Sequence, residues 1–237
     1  VPENLQFFID DASEEDWAVP PNYFDMIHTR VLLGCFTDFR DIIRRSYYYT
    51  KPGGYMESQE VMSTPYCDDG TMPPNWPFLE WNKYLDEAAM TAERPLRIAN
   101  KLKRWYEAAG FVDVQEIVFK LPLGDWPRDP HLKSLGRMSE ENWHAGLSGF
   151  SMGLLSRVLN WTKTEIEVFL VNVRKSLSDK RVHAYHKVYV VWGRKPFPGE
   201  IATPSTSTSS RPPPPPPPPP PPSSWAEPSS SKRARSG

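Results

Sequence analysis

Three short stretches carry the residue types that could do chemistry. The first is Asp10-Asp11-Ala12, directly behind the apolar run of residues 5–9, LQFFI. Carboxylates where a strand ends are placed to meet a ligand; the plainer reading is an exposed acidic loop, since Glu14, Glu15 and Asp16 follow. The second is His28-Thr29-Arg30, closing the strand-like run YFDMIHT. Histidine titrates near neutral pH and is the natural general base of the three; it could equally be a satisfied side chain lining a sheet end. Arg30 could hold an acidic substrate or pair with a helix end. The third is Glu57, Gln59 and Glu60, behind the corner KPGG. Glu60 could face a substrate or sit as a solvated loop carboxylate. Metal chemistry finds no support: His183 and His186 are three apart on a strand and so face opposite sides, and His131 and His144 have no partner at ligand spacing. Cys35 and Cys67 are too few for a disulfide framework or a zinc site.

The elements that must position these residues follow from periodicity and breakers. Residues 5–9, 23–29, 55–61, 112–121 and 183–194 read as strands. Asp38 caps a helix with Phe39, Ile42, Ile43 and Tyr47 at helical spacing, ending at Lys51-Pro52-Gly53-Gly54, because Pro cannot continue a helix and Gly accepts the turn. Residues 77–90 are amphipathic. Pro95 opens a further helix with Leu96, Ala99, Leu102, Tyr106 and Ala109 on one face, and Gly110 stands where a C-terminal glycine belongs. Residues 143–159 are largely apolar and helical, a lid over an apolar substrate or a core helix. Thr162 and Glu165 make a capping box for a helix through Leu177. Strands alternating with helices predict an α/β layer fold with a mostly parallel sheet and an antiparallel strand at its close. Ligands of such sheets bind outside the carboxyl ends of the strands, where the three stretches fall.

Composition sets the bounds. The chain has 237 residues, 39% hydrophobic and 13% aromatic, and a net charge of −1. There is core enough for one domain, and no bulk charge to hold nucleic acid or a membrane surface. No apolar run approaches the roughly 18 residues of a membrane span. Cysteine usage points to a reducing compartment, cytoplasmic or nuclear. One folded domain over residues 1–197 is expected to give way to a disordered tail over residues 198–237, whose Ser, Thr and Pro cannot offset the entropy of ordering. Within it, eleven prolines at 212–222 predict a stiff polyproline II rod of roughly 3.1 Å per residue, a spacer or a ligand for SH3 or WW domains. The cluster KRAR at 232–235 has the composition of a nuclear import signal.

The ordered set IDDA, FDMIHTR and KPGGYMESQE resembles the class I S-adenosylmethionine-dependent methyltransferases, and among them the fungal LaeA-like group of regulators or tailoring enzymes of secondary metabolism. The closing VHAYHKVYVVWGRKP is similar to that group's last strand. The resemblance runs from Pro2 to Pro196. It implies a partial Rossmann-like sheet holding strands three to seven of the spatial order three-two-one-four-five-seven-six, with strand seven antiparallel. It implies S-adenosyl-L-methionine as cofactor. Asp11 and Ala12 would bind the adenine edge, with Asp10 beside them and Trp17 a possible cover. His28, Thr29 and Arg30 would lie where cofactor and methyl acceptor meet, and His28 would be the base. The acceptor is a small molecule or a protein. The glycines of KPGG are expected to serve the turn rather than the ligand. The family's Gly-x-Gly-x-Gly loop, and the acidic residue that binds the ribose, have no counterpart in the sequence. The chain is therefore expected to be an N-terminally truncated methyltransferase, or alternatively an inactive, methyltransferase-like interaction protein.

Overall fold

The computed structural model describes residues 2–200. The polyproline run and the terminal basic cluster lie outside the described residues. Four strands form one sheet: β1 (Phe24–Arg30), β2 (Thr50–Val61), β3 (Val112–Pro122) and β4 (Tyr185–Arg194), in spatial order β1-β2-β4-β3. β2 runs parallel to β1, and β4 is antiparallel to both of its neighbours, β2 and β3. The carboxyl ends of β1, β2 and β3 therefore share one edge of the sheet. This is the four-five-seven-six part of the order that the resemblance implies.

Residues 5–9 correct the prediction. They form no strand, and Phe7, Phe8 and Ile9 are exposed. The physical reason is pairing: an extended run becomes a strand only against another strand's backbone, and among the described residues none lies beside it. β1 is one of the sheet's two edge strands.

Helices α1 (Phe39–Tyr49) and α3 (Leu102–Ala109) cover one face. Their Phe39, Ile43, Leu102 and Tyr106 pack on Met56 and Val191 of the sheet. Asp38 caps α1 by accepting from Arg40 N. Gly110 ends α3 in the left-handed conformation at φ 103°. α3 starts later than Pro95: a single 3₁₀ turn, Ala99–Lys101, precedes it. α2 (Pro77–Thr91), α4 (Pro130–Arg157) and α5 (Lys163–Leu177) form a second cluster, with Trp81, Leu147, Leu155, Ile166 and Leu170 at its centre. The capping box of α5 is present in both directions. α4 is 28 residues long and begins well before residue 143. Its start signal, Asp129 as cap with Pro130 in the first turn, is legible once sought. Leu147 and Leu155 are fully buried, so the stretch 143–159 is a core helix along that face rather than a free lid. No helix among the described residues is long and apolar enough to cross a membrane.

The KPGG corner also differs in detail. α1 stops at Tyr49, and Lys51-Pro52-Gly53-Gly54 already belong to β2, where the β1 register jumps between Phe24↔Thr50 and Met26↔Tyr55. It is a bulge rather than a free turn. Gly53 has φ 82°, and a Cβ there would meet the Phe197 ring at 2.6 Å. A Cβ on Gly54 would meet the Asp25 carbonyl at 2.8 Å. Gly53 N donates to Lys195 O, and Lys195 N to Gly54 O, each at 2.8 Å. The glycines let the bulge lie against the chain that leaves β4.

Candidate active site

Strand alternation divides the second stretch. His28 and Arg30 project from one face of β1 and Thr29 from the other. On the face away from α1 and α3, His28 lies opposite Glu57 of β2. Its Nδ1 is 3.1 Å from Glu57 Oε1, and Gln59 Nε2 donates to the same oxygen at 3.0 Å. A carboxylate holding Nδ1–H leaves Nε2 of the neutral ring as an acceptor, the arrangement a general base needs. The sequence by itself does not pair Glu57 with His28; the sheet register does. The signal that could have found it is parallel pairing of two strands whose carboxyl ends coincide. Among the described residues Arg30 makes no ion pair and is exposed.

On the other face, the Thr29, Ser58 and Tyr106 hydroxyls form a buried chain, with Thr29–Ser58 at 2.7 Å and Ser58–Tyr106 at 2.6 Å. Burial pushes the Tyr106 phenol well above its ordinary range. Glu60 lies on this same face. It is not a solvated loop carboxylate: it is fully buried within β2. Oε1 accepts from Leu32 N at 2.8 Å, and Oε2 has no partner among the described residues. Burial pushes its pKa up to about 7, against the pull of the Leu32 and Leu33 N–H groups. The alternation of a half-buried strand already puts residue 60 on the side of Met56 and Ser58, so periodicity contained the signal.

The first stretch is an exposed loop. Asp11 Oδ1 accepts from Ser13 N at 2.8 Å and from Ser13 Oγ at 2.7 Å, and these bonds hold its carboxyl below the ordinary value. Asp10 accepts from Asp11 N. Asp11 Oδ2 and Ala12 N–H make no hydrogen bond among the described residues. That leaves a carboxylate acceptor beside a backbone donor, the pair an adenine edge requires. Trp17 stacks on Tyr49 with centroids 5.1 Å apart and planes 13° apart, its backbone N donates to Tyr49 OH at 3.1 Å, and its Nε1 donates to Ala12 O at 3.2 Å, which holds the ring beside Ala12. His186 is fully buried and carries a pKa pushed down by that burial to about 4, so it stays neutral at pH 7 and fills the core against Phe78 and Trp143.

Comparison with known proteins bears on these residues. The chain matches a family described as "Methyltransferase domain" over residues 3–116. It is 31% identical over 198 residues to the secondary metabolism regulator LAE1 of Cochliobolus heterostrophus, covering 83% of this chain and 64% of the relative. It is 34% identical over 196 residues to methyltransferase pytC of Aspergillus terreus, covering 83% and 60%. To the protein-methionine methyltransferase laeA of Emericella nidulans it is 25% identical over 196 residues, covering 82% and 52%. The chain thus spans less than two thirds of the length of these relatives. The LAE1 and pytC alignments take in most of this chain, well beyond the span of the domain match. Over residues 3–116 the chain matches a methyltransferase domain, and over most of its length it is similar to methyltransferases and secondary metabolism regulators of the LaeA-like group.

Proposed function

We propose that this chain carries the acceptor-side half of an S-adenosylmethionine-dependent methyltransferase acting in secondary metabolism, with residues 1–197 as the methyltransferase-like domain. The observation that supports it best is His28 held by Glu57 at the carboxyl end of β1; the Asp11–Ala12 loop offers an open acceptor and donor of its own. When bound, the cofactor supplies an electrophilic methyl group on a sulfonium. Asp11 Oδ2 would accept from the adenine amino group, and Ala12 N–H would donate to the ring. His28 Nε2 takes the proton that an acceptor hydroxyl, amine or thiol must lose, while Glu57 keeps the ring's tautomer. Thr29 and Ser58 stiffen the strand ends beneath. The sequence holds no Gly-x-Gly-x-Gly motif, so the methionine and ribose ends of the cofactor have no matching residues in this chain.

The acceptor is a small molecule or a protein side chain. The name of the Emericella nidulans relative, a protein-methionine methyltransferase, favours the protein class. The polyproline run recruits an SH3- or WW-type partner or acts as a spacer. The unpaired Cys35 and Cys67 suit a cytoplasmic or nuclear setting. The absent glycine motif favours a second reading, a methyltransferase-like interaction protein without cofactor binding.

Calorimetry with S-adenosylhomocysteine on the 237-residue chain, after circular dichroism establishes that it is folded, separates the two. The enzyme reading expects binding that weakens at least tenfold in Asp11→Ala, about the 1.4 kcal/mol that one hydrogen bond to a charged group contributes. A folded chain with no binding favours the interaction reading, and binding indifferent to Asp11→Ala overturns the role given to Asp11.

A further inference from the structure

A cavity of about 380 Å³ opens beyond the carboxyl end of β3, between the segment after β2 and the start of α4. None of the residues discussed above as cofactor or base candidates lines it. Its walls are flat: the rings of Trp126, His183 and Tyr185, with Pro122, Pro127 and Leu132 between them. Trp126 stacks on His183 with centroids 5.0 Å apart and planes 25° apart, and is itself pinned by donating Nε1–H to Ala184 O at 3.0 Å.

Most polar groups of the lining are committed. Asp68 accepts from the Tyr185 hydroxyl at 2.7 Å and pairs with Lys120, whose ammonium lies 4.8 Å from the Tyr185 ring centroid. Asp69 accepts from Thr71 N, Thr71 Oγ1 and Cys67 Sγ through one oxygen, and holds His183 Nδ1 at 2.6 Å through the other. His183 N donates to Thr71 Oγ1 at 2.9 Å, so the ring is fixed from both its backbone and its Nδ1 side. What remains are His183 Nε2, Asp129 Oδ2 and the Arg128 guanidinium, none of which has a partner among the described residues. With Nδ1–H given to Asp69, the neutral ring presents Nε2 as an acceptor.

We propose that this cavity is a binding site for a flat aromatic molecule carrying a hydroxyl group, a phenol of one or two fused rings, whose O–H donates to His183 Nε2 while its ring lies against Trp126 and the prolines beside it. The volume is at the small end of ligand pockets, which begin at roughly 300 Å³, and suits a naphthol-sized ring. Flat walls of aromatic and proline rings favour a planar ligand over a branched aliphatic one. The open Nε2 favours a ligand that carries a donor over one that displaces water from that partly exposed nitrogen and pairs it with nothing. The site stands independently of the methyl-transfer reading, since none of its residues takes part in that chemistry.

The test uses the full chain without cofactor and two probes, 2-naphthol and 2-methoxynaphthalene, titrated by calorimetry. 2-Naphthol binds roughly five- to tenfold more tightly, the net contribution of one hydrogen bond. His183→Phe, which keeps an aromatic ring in the stack, removes the preference, and His28→Ala leaves it intact. Leu132→Trp, at the exposed rim of the cavity, weakens both probes without touching the core. Absence of 2-naphthol binding by the folded chain, equal affinity for the two probes, or a preference that survives His183→Phe overturns the inference. S-adenosylhomocysteine is titrated separately, so its failure to bind would count against the enzyme reading alone.

Discussion

Replacing Glu60 by Gln should stabilise the protein, and increasingly so as pH rises. Glu60 is fully buried, with one oxygen on Leu32 N and the other unpartnered. Burial raises its pKa from the ordinary 4.5 to about 7. Below pH 4.5 the folded and unfolded chains both carry the proton, and the residue is neutral toward stability. Between 4.5 and 7 the unfolded chain releases the proton and the folded one keeps it. The folded state then binds more protons, and stability falls with rising pH until the folded group ionises as well. At about 1.4 kcal/mol per pH unit, the penalty grows from roughly 1 kcal/mol at pH 5 to roughly 3 kcal/mol at pH 8. Gln keeps the shape and the acceptor for Leu32 N but cannot ionise. Urea unfolding of both proteins at pH 5 and pH 8 measures the difference; groups titrating elsewhere cancel between them. The variant should gain about 2 kcal/mol over the native chain between the two pH values. A difference that is flat with pH, or one that favours Glu60 at pH 8, would refute the idea that a buried carboxyl here holds its proton near neutrality.

Two further predictions concern the core. Ser58→Ala should cost more than Tyr106→Phe in urea unfolding, because Ser58 is the middle of the Thr29–Ser58–Tyr106 chain. Its loss orphans two buried hydroxyls at about 1–3 kcal/mol each, whereas the phenol's loss leaves Ser58 bonded to Thr29 and costs about 1 kcal/mol; equal losses would contradict the chain. Gly136→Ala should destabilise by more than the usual 1–3 kcal/mol or so of overpacking, because its Cβ would run into the Gly124 backbone, which cannot rotate away. Gly149→Ala in the same helix meets nothing within 4 Å and should gain up to about 1 kcal/mol of helix propensity. Thermal melts of the pair that move in the same direction would show that α4 does not lie against the residue 124 turn.

Much of this fold was legible in the chain because its signals are local. Asp38, Gly110 and the Thr162–Glu165 box set helix ends through hydrogen bonds that reach only three or four residues, and the strand runs show in side-chain alternation. The antiparallel closing strand and the order β1-β2-β4-β3 followed from the resemblance rather than from periodicity. What the tertiary structure alone decided depends on partners distant in sequence. Residues 5–9 have a strand's composition, yet without a paired backbone they stay exposed. His28 gains its orienting carboxylate from a strand 29 residues later (Glu57) only because β1 and β2 are parallel and in register. Glu60 carries a raised pKa because two layers close over it, and a carboxylate's surroundings cannot be read from its own neighbours in the chain. The cavity that holds His183 joins segments around residues 68, 120, 126 and 183. No local pattern announces that meeting, since it is set by where the sheet edge and the second helical cluster come together.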